Sequence, residues 1–483
     1  MEPYEALTSH IADGPRGKTT AAFFDLDGTI IATHSVKDLF IERLVTGKVQ
    51  TEEVLDMAAL TVRYLFKSQD FEDGLRSSVS NMQGMDEAEL IELAEKVTVE
   101  RLTPQVFPEV RAIIRAHRKK GHTLVVVTSA SRYQVETLAR DLGIENILCT
   151  ELEVRGGKFT GQLAGPACYG RAKLKAARKF ASDKRIVMKK SYFYSNGSED
   201  LPLLDAVGNP VAIGPDSKLM KVARRRGWPV HEFDSRGWVG ISDLARTVAT
   251  FGTALPTFAA GLPFRLLGGS ERDSTNLSVS AWASMATIIA RLKLIVEGEE
   301  HLWSHRPAIF IFNHQSAMDM LIAAKLLRED IVGVAKKEIQ KQPLVGPVLK
   351  LAGTVFIDRD NVRDPKAALQ PAVQALKDGK SVIMAPEGTR STNGKIGDFK
   401  RGAFHLAQQS GAPIVPIVIH NALDALPNHS MIIRPAEVKV TVLEPILTDE
   451  WTLSSVAPQT RKARKTYLEV LGQSDVPEKV AST

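Results

Sequence analysis

The sequence is short of cysteine, and that shortage limits the kinds of protein it can be. Only two cysteines, Cys149 and Cys168, occur in 483 residues. Two cysteines cannot build a disulfide framework, and they suit a reducing compartment. The sequence also has no internal repeat and no low-complexity tract. A disulfide-stapled secreted scaffold is therefore excluded.

Long apolar runs are missing as well. A membrane-spanning helix needs about 20 apolar residues in succession. Residues 247–264 and 274–290 carry no charge, but glycine and proline break the first stretch, and serine and threonine interrupt the second. We interpret them as interfacial or re-entrant helices at a membrane surface, with ordinary packing helices as the alternative. Residues 1–20 are polar and mixed in charge, so no secretory signal is predicted.

The chain also lacks a strong charge imbalance. Lysine and arginine number 62 against 56 aspartates and glutamates, which gives a net charge of +6. Such a small excess of positive charge is typical of a solvated surface. The alternative is attraction to anionic lipid, to which each nearby basic residue contributes about 1 kcal/mol. Hydrophobic residues at 44% and charged residues at 24% are ordinary for a globular chain, and the length allows two or three domains.

The first informative motif follows the apolar run Ala21–Phe24, which predicts a strand. It places Asp25 at the strand end, with Asp27 two residues later and Gly28 in the turn. A carboxylate can accept a phosphoryl group as an acyl phosphate, so Asp25 is the predicted nucleophile. Side chains two residues apart point the same way from an extended chain, and Asp27 is the predicted acid and base. The alternative is a capped turn after a strand.

Strand-like and helix-like stretches alternate over residues 19–240, which predicts an α/β fold, a Rossmann-like doubly wound parallel sheet. The strands are predicted at residues 123–128, 185–194 and 210–213 besides the first one. Residues 33–106 interrupt the alternation with helical patterns. Such an insertion after the first motif predicts a helical cap over the strand ends, where open α/β sheets bind ligands.

Later residues in this domain suit a phosphate and a cation. Ser129, with Thr128 as the alternative, offers a hydroxyl for a phosphate oxygen, although this hydroxyl cluster can also start a helix. Lys173 can stabilise pentavalent phosphorus or be a surface lysine. Asn196 and Asp200 follow a predicted strand and supply oxygen ligands for Mg²⁺.

Together these motifs resemble the haloacid dehalogenase superfamily, in its phosphoserine-phosphatase-like branch, subfamily IB. The resemblance covers residues 19–240. It implies an Mg²⁺-dependent phosphatase with Ser129 and Lys173 on the substrate phosphate. Its implied metal site comprises Asp25, Asp27, Asn196 and Asp200. The family usually has an acidic residue where this chain has the uncharged Asn196, so magnesium binding should be weaker and the phosphatase slow or lost.

A second motif follows an apolar helical bridge, residues 241–299. The predicted strand at residues 307–312 leads into His314, with Asp319 five residues later. A carboxylate bonded to one imidazole nitrogen fixes the tautomer and leaves the other nitrogen as a base. This pair is two-thirds of a serine-protease triad, with the substrate hydroxyl in place of the serine. The base would deprotonate an alcohol that attacks a thioester.

Two further strand ends carry arginines, Arg359 and Arg390, which suit bidentate phosphate binding. With the histidine motif and a further apolar strand at residues 415–419, these blocks resemble the glycerolphosphate acyltransferase superfamily, most closely bacterial 1-acylglycerol-3-phosphate acyltransferases. The resemblance implies His314 as base, Asp319 as its partner, acyl-CoA or acyl carrier protein as donor, and no metal. It implies an acceptor-phosphate site formed by Arg359, Glu387, Gly388, Thr389 and Arg390. An α/β acyltransferase domain over residues 300–450 and a polar tail over residues 451–483 complete the predicted organisation.

The combined prediction is a bifunctional enzyme of phospholipid synthesis at the cytoplasmic membrane face, peripheral or monotopic. Its predicted partners are lysophosphatidate, an acyl thioester and anionic lipid, with no nucleic acid. The phosphatase substrate stays open between phosphoserine and a lipid phosphate. Two alternatives stay open: a phosphatase tethered to membrane by its second half, or an acyltransferase with a regulatory, non-catalytic phosphate-binding module.

Overall fold

The computed structural model describes residues 3–45, 71–342, 345–357 and 367–473. They form two compact units, Met1–Trp238 and Val239–Thr483. The sequence analysis placed the division near residue 240.

The first unit is built on a six-stranded sheet. Its described strands are β1 Ala21–Phe24, β2 Thr123–Ser131, β3 Asn146–Thr150, β4 Leu152–Arg155, β5 Lys158–Leu163, β6 Tyr192–Ser195, β7 Asn209–Ile213 and β8 Val230–His231. Its described helices are α1 Pro3–Asp13, α2 Ser35–Val45, α3 Phe71–Ser80, α4 Glu87–Val97, α5 Pro108–Lys119, α6 Arg132–Asp141, α7 Arg171–Asp183, α8 Leu201–Leu204 and α9 Ser217–Arg226. The strand order is β3-β2-β1-β6-β7-β8, and every neighbouring pair is parallel.

Strand β1 lies in the middle of this sheet and is apolar on both faces. Ala22 and Phe24 pack into one hydrophobic cluster, and Ala21 and Phe23 pack into the cluster on the other face. A strand that is buried on both faces has a continuous apolar sequence, and helices must cover both faces of its sheet. The predicted doubly wound α/β fold is confirmed, and β1 delivers Asp25 at its carboxyl end.

Two features of the first unit differ from the sequence prediction. The strand predicted at residues 185–194 is confined to Tyr192–Ser195, because residues 188–190 form a short 3₁₀ helix before it. The antiparallel hairpin of β4 and β5 was not predicted. The predicted cap contains α2, α3 and α4, and its residues 46–70 lie outside the described part of the chain.

The second unit is built on a seven-stranded sheet. Its described strands are β9 Leu292–Glu297, β10 Ile309–Phe312, β11 Ile331–Lys336, β12 Val355–Ile357, β13 Ser381–Met384, β14 Ile414–Ile419 and β15 Ala436–Val442. Its described helices are α10 Ile241–Gly252, α11 Ala254–Leu266, α12 Glu271–Ala290, α13 His301–Ser304, α14 Met318–Leu327, α15 Val345–Leu351, α16 Gln370–Lys377, α17 Gly402–Ser410 and α18 Leu453–Leu471. The strand order is β12-β11-β13-β10-β14-β15-β9, with only the β14–β15 pair antiparallel.

Strand β10 occupies the centre of this sheet, and it too is buried on both faces. Phe310 and Phe312 pack into one cluster and Ile309 and Ile311 into another. The strand runs parallel to both neighbours, β13 and β14. The carboxyl ends of all three strands therefore meet at one edge of the sheet, where the segment that follows β10 begins.

The predicted bridge over residues 241–299 is not a separate segment. Helices α10, α11 and α12 belong to the second unit, and Ala283 and Ala286 of α12 are fully buried in its core. Residues 292–297 form β9, which pairs with β15. Small residues let α12 pack closely against the sheet. The sequence analysis considered only that this stretch lacks charge, and that pattern alone does not distinguish a buried packing helix from an interfacial one. Among the helices of the described residues, none has the length and apolar character to cross a membrane.

The polar tail predicted over residues 451–483 is also corrected. Residues 453–471 form α18, which packs against the second unit. Val456, Ala463 and Tyr467 are buried and repeat at helical spacing. Arg461, Lys462 and Lys465 occupy outward positions between them, and the polar, weakly patterned sequence around this basic run led to the prediction of a tail. Residues 474–483 lie outside the described part of the chain.

Candidate active sites

At the carboxyl end of β1, one lysine joins two aspartates. Lys173 Nζ lies 2.6 Å from Asp25 Oδ1 and 3.0 Å from Asp200 Oδ2. Lys173 is presented from α7 and is buried, as are both carboxylates. The backbone N–H of Asp25 donates to the carbonyl of Tyr194 in β6, which holds the β1 end beside the β6 end. The structure thus brings together three residues that the sequence placed 148 and 27 positions apart.

The electrostatics of this cluster leave negative charge in excess. Burial raises the pKa of Asp25 to about 7, although Lys173 acts in the opposite direction. Burial also raises the pKa of Asp27. For Lys173, burial lowers the pKa, but attraction by Asp200 and Asp25 outweighs it, and the net pKa is raised. One lysine therefore balances the carboxylates only in part, and a further cation would stabilise the ionised form of Asp25.

Asp27 is tied to the first helix of the cap. The backbone N–H of Ser35 donates to Asp27 Oδ1 at 2.7 Å, and the Ser35 hydroxyl donates to Oδ2 at 3.2 Å. Ser35 is the first residue of α2, so a carboxylate at this point satisfies a free N–H at the start of a helix. The predicted acid and base is thereby linked directly to the cap.

The remaining oxygens suit a magnesium ion. Asp200 Oδ1 is buried and has no hydrogen-bond partner, whereas Oδ2 accepts from the Ser195 hydroxyl at 2.7 Å.

Asn196 lies against Gly28, where a Cβ atom would come within 2.2 Å of Asn196 Nδ2. Gly28 has φ +75°, a conformation that glycine adopts without strain. Both the close approach and the turn therefore require glycine at this position.

The predicted four-residue metal set is not assembled as a whole. In the part of the chain that the structure describes, no three histidine, cysteine or carboxylate side chains converge as metal ligands. The Asp27 carboxylate faces Ser35 instead. A magnesium ion would therefore be held by the carboxylates of Asp25 and Asp200 with the neutral oxygen of Asn196, and the unpartnered Asp200 Oδ1 fits that role.

The hydroxyls predicted for phosphate binding lie at the end of β2. The Thr128 hydroxyl is buried and accepts from the N–H of Ala130 at 3.1 Å. Ser129 is half-buried, and its carbonyl accepts from the Thr150 hydroxyl at 2.8 Å. Because Thr128 is fully buried and Ser129 is partly exposed, Ser129 stays the predicted phosphate ligand.

A small, tight cavity lies beside Ser35, between the cap and α6. Four aliphatic side chains, one hydroxyl and one amide line it together with Ser35: Leu39, Ala94, Val97, Leu102, Thr98 and Gln134. Thr98 Oγ1 and Gln134 Nε2 are buried without a hydrogen-bond partner. The cavity is too tight to hold a water molecule, so it is part of the packing between the cap and α6 and leaves no room for a substrate.

The second site contains the predicted histidine–aspartate pair. Asp319 Oδ2 lies 2.8 Å from His314 Nδ1 and accepts from the N–H groups of Gln315 at 2.7 Å and Ser316 at 2.8 Å. Asp319 is completely buried, and burial raises its pKa, with His314 and the two N–H groups opposing that rise. Because the Asp319 carboxylate accepts a hydrogen bond from Nδ1–H, Nε2 is left as the basic nitrogen. The His314 side chain is 23% exposed, so that nitrogen is accessible to a substrate.

Glu387 contacts the backbone of His314. Its Oε1 accepts from the backbone N–H of His314 at 2.8 Å, and its Oε2 accepts from the N–H of Gly397 at 2.8 Å. The side chain is buried, and burial raises its pKa despite both donors. The backbone of His314 is also held through its carbonyl, which accepts from the N–H of Ser391 at 2.7 Å. The sequence analysis assigned Glu387 to the acceptor phosphate, whereas here both its oxygens bond to backbone.

The other acceptor-site residues follow Glu387 on an open turn. Gly388 has φ +76°, and Thr389 and Arg390 are exposed. Arg359 lies outside the described residues. Gly397 was missed in the sequence analysis because it lies beyond the motif and acts through its backbone, which leaves no signal in the sequence.

The first unit has clear relatives. A family model described as haloacid dehalogenase-like hydrolase matches residues 22–205. A probable phosphatase of Mycobacterium tuberculosis is 34% identical over 254 residues, which cover 51% of this chain and 88% of that protein. The chain belongs to the haloacid dehalogenase-like hydrolase family. A phosphoserine phosphatase of the same organism is 30% identical over 253 residues, 51% of this chain and 79% of that enzyme.

This hydrolase continues into a second enzyme unit. A family model described as acyltransferase matches residues 293–420. A 1-acyl-sn-glycerol-3-phosphate acyltransferase of Limnanthes douglasii is 37% identical over 186 residues, which cover 38% of this chain and 64% of that enzyme. The chain is therefore a fusion of a haloacid dehalogenase-like hydrolase domain with an acyltransferase domain, as the sequence analysis predicted.

Proposed function

We propose that the second unit transfers an acyl chain from a thioester to 1-acylglycerol-3-phosphate and forms phosphatidate. The observation that carries this proposal is the His314–Asp319 pair at the end of a central strand, with Arg390 on the adjoining turn. The similarity to the Limnanthes acyltransferase supports the acceptor. The first unit is proposed to be a magnesium-dependent phosphomonoesterase.

The geometry supports a direct acyl transfer. His314 Nε2 takes the proton from the free glycerol hydroxyl, and the oxygen attacks the thioester carbonyl. The tetrahedral intermediate collapses, expels the thiolate and forms the ester, and the imidazolium returns its proton to the thiolate. Asp319 holds the imidazole in one tautomer and stabilises its charged form. Arg390 binds the acceptor phosphate, and Arg359 is proposed to share that role.

The phosphatase chemistry proceeds on Asp25. Its carboxylate attacks phosphorus and forms an aspartyl phosphate, while Asp27 donates a proton to the departing alkoxide. Asp27 then removes a proton from the water that hydrolyses the aspartyl phosphate. Lys173 and Ser129 bind the phosphate oxygens. When bound, magnesium supplies positive charge that neutralises the phosphate and the carboxylates around it.

The substrate of the phosphatase is proposed to be a phosphomonoester with a compact alcohol. Ser35, at the start of the cap helix α2, contacts Asp27 directly, so the cap lies close to the reacting end of the site. That closeness favours a phosphoserine-like molecule or the glycerol end of a lipid phosphate over a complete lipid. The similarity to a phosphoserine phosphatase supports the first choice.

The proposed location is the cytoplasmic face of a membrane that contains anionic lipid. Helix α10 exposes a row of large apolar side chains that continues to the start of α11. The row consists of Ile241, Leu244, Val248, Phe251 and Leu255. Their spacing of three or four residues puts them on one side of a helix, and an exposed apolar stripe of this kind is typical of a helix that lies in a membrane interface.

Glutamate in this row is expected to weaken membrane binding. The Leu244→Glu/Val248→Glu variant should bind phosphatidylcholine–phosphatidylglycerol vesicles at least tenfold more weakly than the wild type, because each buried aliphatic side chain contributes about 1.5–3 kcal/mol. Co-sedimentation measures the binding. Leu453→Glu, at an exposed apolar position of α18, is the matched control. Equal binding by all three proteins would remove α10 from the proposed interface.

The experiment that tests the proposed activity is product analysis by mass spectrometry. Purified protein in mixed micelles receives lysophosphatidate, acyl-CoA and Mg²⁺. Phosphatidate is the expected product, and accompanying diacylglycerol would place both sites in one reaction sequence. If neither acyl-CoA nor an acyl carrier thioester yields phosphatidate, the acyltransferase proposal fails and the phosphatase becomes the main activity.

Aspartate at position 196 is expected to strengthen magnesium binding. Opposite charges about 4 Å apart attract by roughly 4 kcal/mol at an effective dielectric of 20. The Asn196→Asp variant should therefore reach half-maximal phosphatase activity at a magnesium concentration at least tenfold lower than the wild type. Phosphate release is measured over a magnesium titration. Hydrolysis that appears only in the variant would instead favour a regulatory, phosphate-binding first unit.

A further inference from the structure

The C-terminal helix α18 packs against the central strand that leads into His314. Tyr467 of α18 is fully buried, and its hydroxyl donates to the carbonyl of Ile311 in β10 at 2.7 Å. Ile311 lies three residues before His314. The helix therefore packs under the strand that carries the catalytic base, although it begins 33 residues beyond the segment that matches the acyltransferase family.

The same C-terminal segment also contacts the loop of residues 394–397, which follows the turn that carries Arg390. Gln473, just after α18, accepts from the N–H of Ile396 at 2.9 Å and donates to the carbonyl of Gly394 at 2.9 Å. Arg464 Nε donates to the carbonyl of Gly397 at 3.0 Å. Backbone groups at three positions of this loop are thus bonded to two side chains of the C-terminal segment.

The carboxylate of Glu387 connects this loop to His314. Gly397 donates its N–H to Glu387 Oε2, and Glu387 Oε1 accepts from the N–H of His314. Glu387 is only 5% exposed, so an oxygen that loses its N–H donor has little water to replace it. A buried carboxylate in that condition reorients or takes a proton. Either change loosens the backbone of His314.

We propose that the C-terminal segment positions the catalytic base: Gln473 and Arg464 fix the loop of residues 394–397, the loop fixes Glu387, and Glu387 fixes the backbone of His314. This inference rests on the acyltransferase activity proposed above. Gln473, Arg464 and Glu387 are positioning residues and touch no substrate. Asp319 holds the imidazole ring and the N–H groups of the two residues that follow it, whereas Glu387 holds the N–H of His314 itself, so the Glu387 contact is a further restraint on where Nε2 lies.

The test compares Gln473→Ala and Arg464→Met with Lys465→Ala. Lys465 lies on the exposed face of the same helix, where it pairs with Glu469. Acyl transfer should fall roughly 10- to 100-fold in kcat for the first two variants, because misplacement of a catalytic group by about 1 Å can cost 100-fold. KM for the thioester should change less than twofold, and Lys465→Ala should match the wild type. Limited proteolysis of the second unit, compared with the wild type, reports whether each variant is folded.

A second readout separates this inference from the proposed activity. Diethyl pyrocarbonate modifies accessible histidines, and peptide mass spectrometry measures its rate at His314 whether or not the protein transfers acyl chains. Gln473→Ala and Arg464→Met should change that rate at least threefold while leaving the exposed His305 unaffected. Unchanged labelling of His314 in both variants would overturn the inference. If Gln473→Ala does not fold, Gln473→Glu replaces it, since glutamate keeps the acceptor for Ile396 and loses only the donor to Gly394.

Discussion

The His314→Ala variant is expected to lose acyl transfer by roughly 10²- to 10⁴-fold, the usual contribution of a general base. The glycerol hydroxyl is a poor nucleophile until its proton is removed, and Asp319 holds His314 in place as the base. Phosphatidate formation from lysophosphatidate and acyl-CoA, followed by mass spectrometry, measures the loss. Phosphate release by the first unit should be unchanged, because that reaction uses Asp25.

His305→Ala is the matched control for this experiment. His305 is exposed and bonds only to the neighbouring Ser304 in the described structure, so its replacement should leave acyl transfer intact. Undiminished phosphatidate formation by His314→Ala would mean that another group acts as the base. Equal losses in both histidine variants would point to an unfolded second unit rather than to catalysis.

Asparagine in place of Asp25 should abolish phosphatase activity, with a loss on the order of 10³-fold or more, as expected when a covalent nucleophile is removed. Asparagine keeps the shape of the side chain and can still accept from Lys173, so the site should stay folded. It cannot form an acyl phosphate, because an amide oxygen is far less nucleophilic than a carboxylate. Acyl transfer should remain at the wild-type level.

Two measurements check the Asp25→Asn prediction. Phosphate release reports turnover, and mass spectrometry of acid-quenched protein reports the phosphoenzyme, which should be present in the wild type and missing in the variant. Asp13→Asn, at an exposed position, is the control and should behave like the wild type. A phosphoenzyme in Asp25→Asn would show that a different residue accepts the phosphoryl group.

Much of both sites could be predicted because their residues follow buried strands. An apolar run such as Ala21–Phe24 or Ile309–Phe312 predicts a central strand, and the polar residue after it must emerge at the sheet edge. His314 and Asp319 lie five positions apart, so a single turn brings them together. These local patterns are short enough to be read without knowing the rest of the fold.

Contacts between distant segments could not be predicted in the same way. Glu387 bonds to the backbone of a residue 73 positions away, and any residue type can supply a backbone N–H. Gln473 bonds to two backbone groups of the 394–397 loop, and nothing in a lone glutamine indicates its partner. The predicted polar tail failed for a related reason, since the five buried residues of α18 are interspersed with five charged ones.

The pairing of β9 with β15 has a consequence for how the protein is made. Residues 292–297 leave the ribosome long before residues 436–442, their only partner strand in the described sheet. At about 5–20 residues per second, translation needs roughly 7 to 30 seconds to cover that interval. The hydrolase unit, whose last residue is Trp238, is complete before that interval begins. Nascent chains should therefore acquire phosphatase competence first, with the acyltransferase sheet left open along one edge until its last strand emerges.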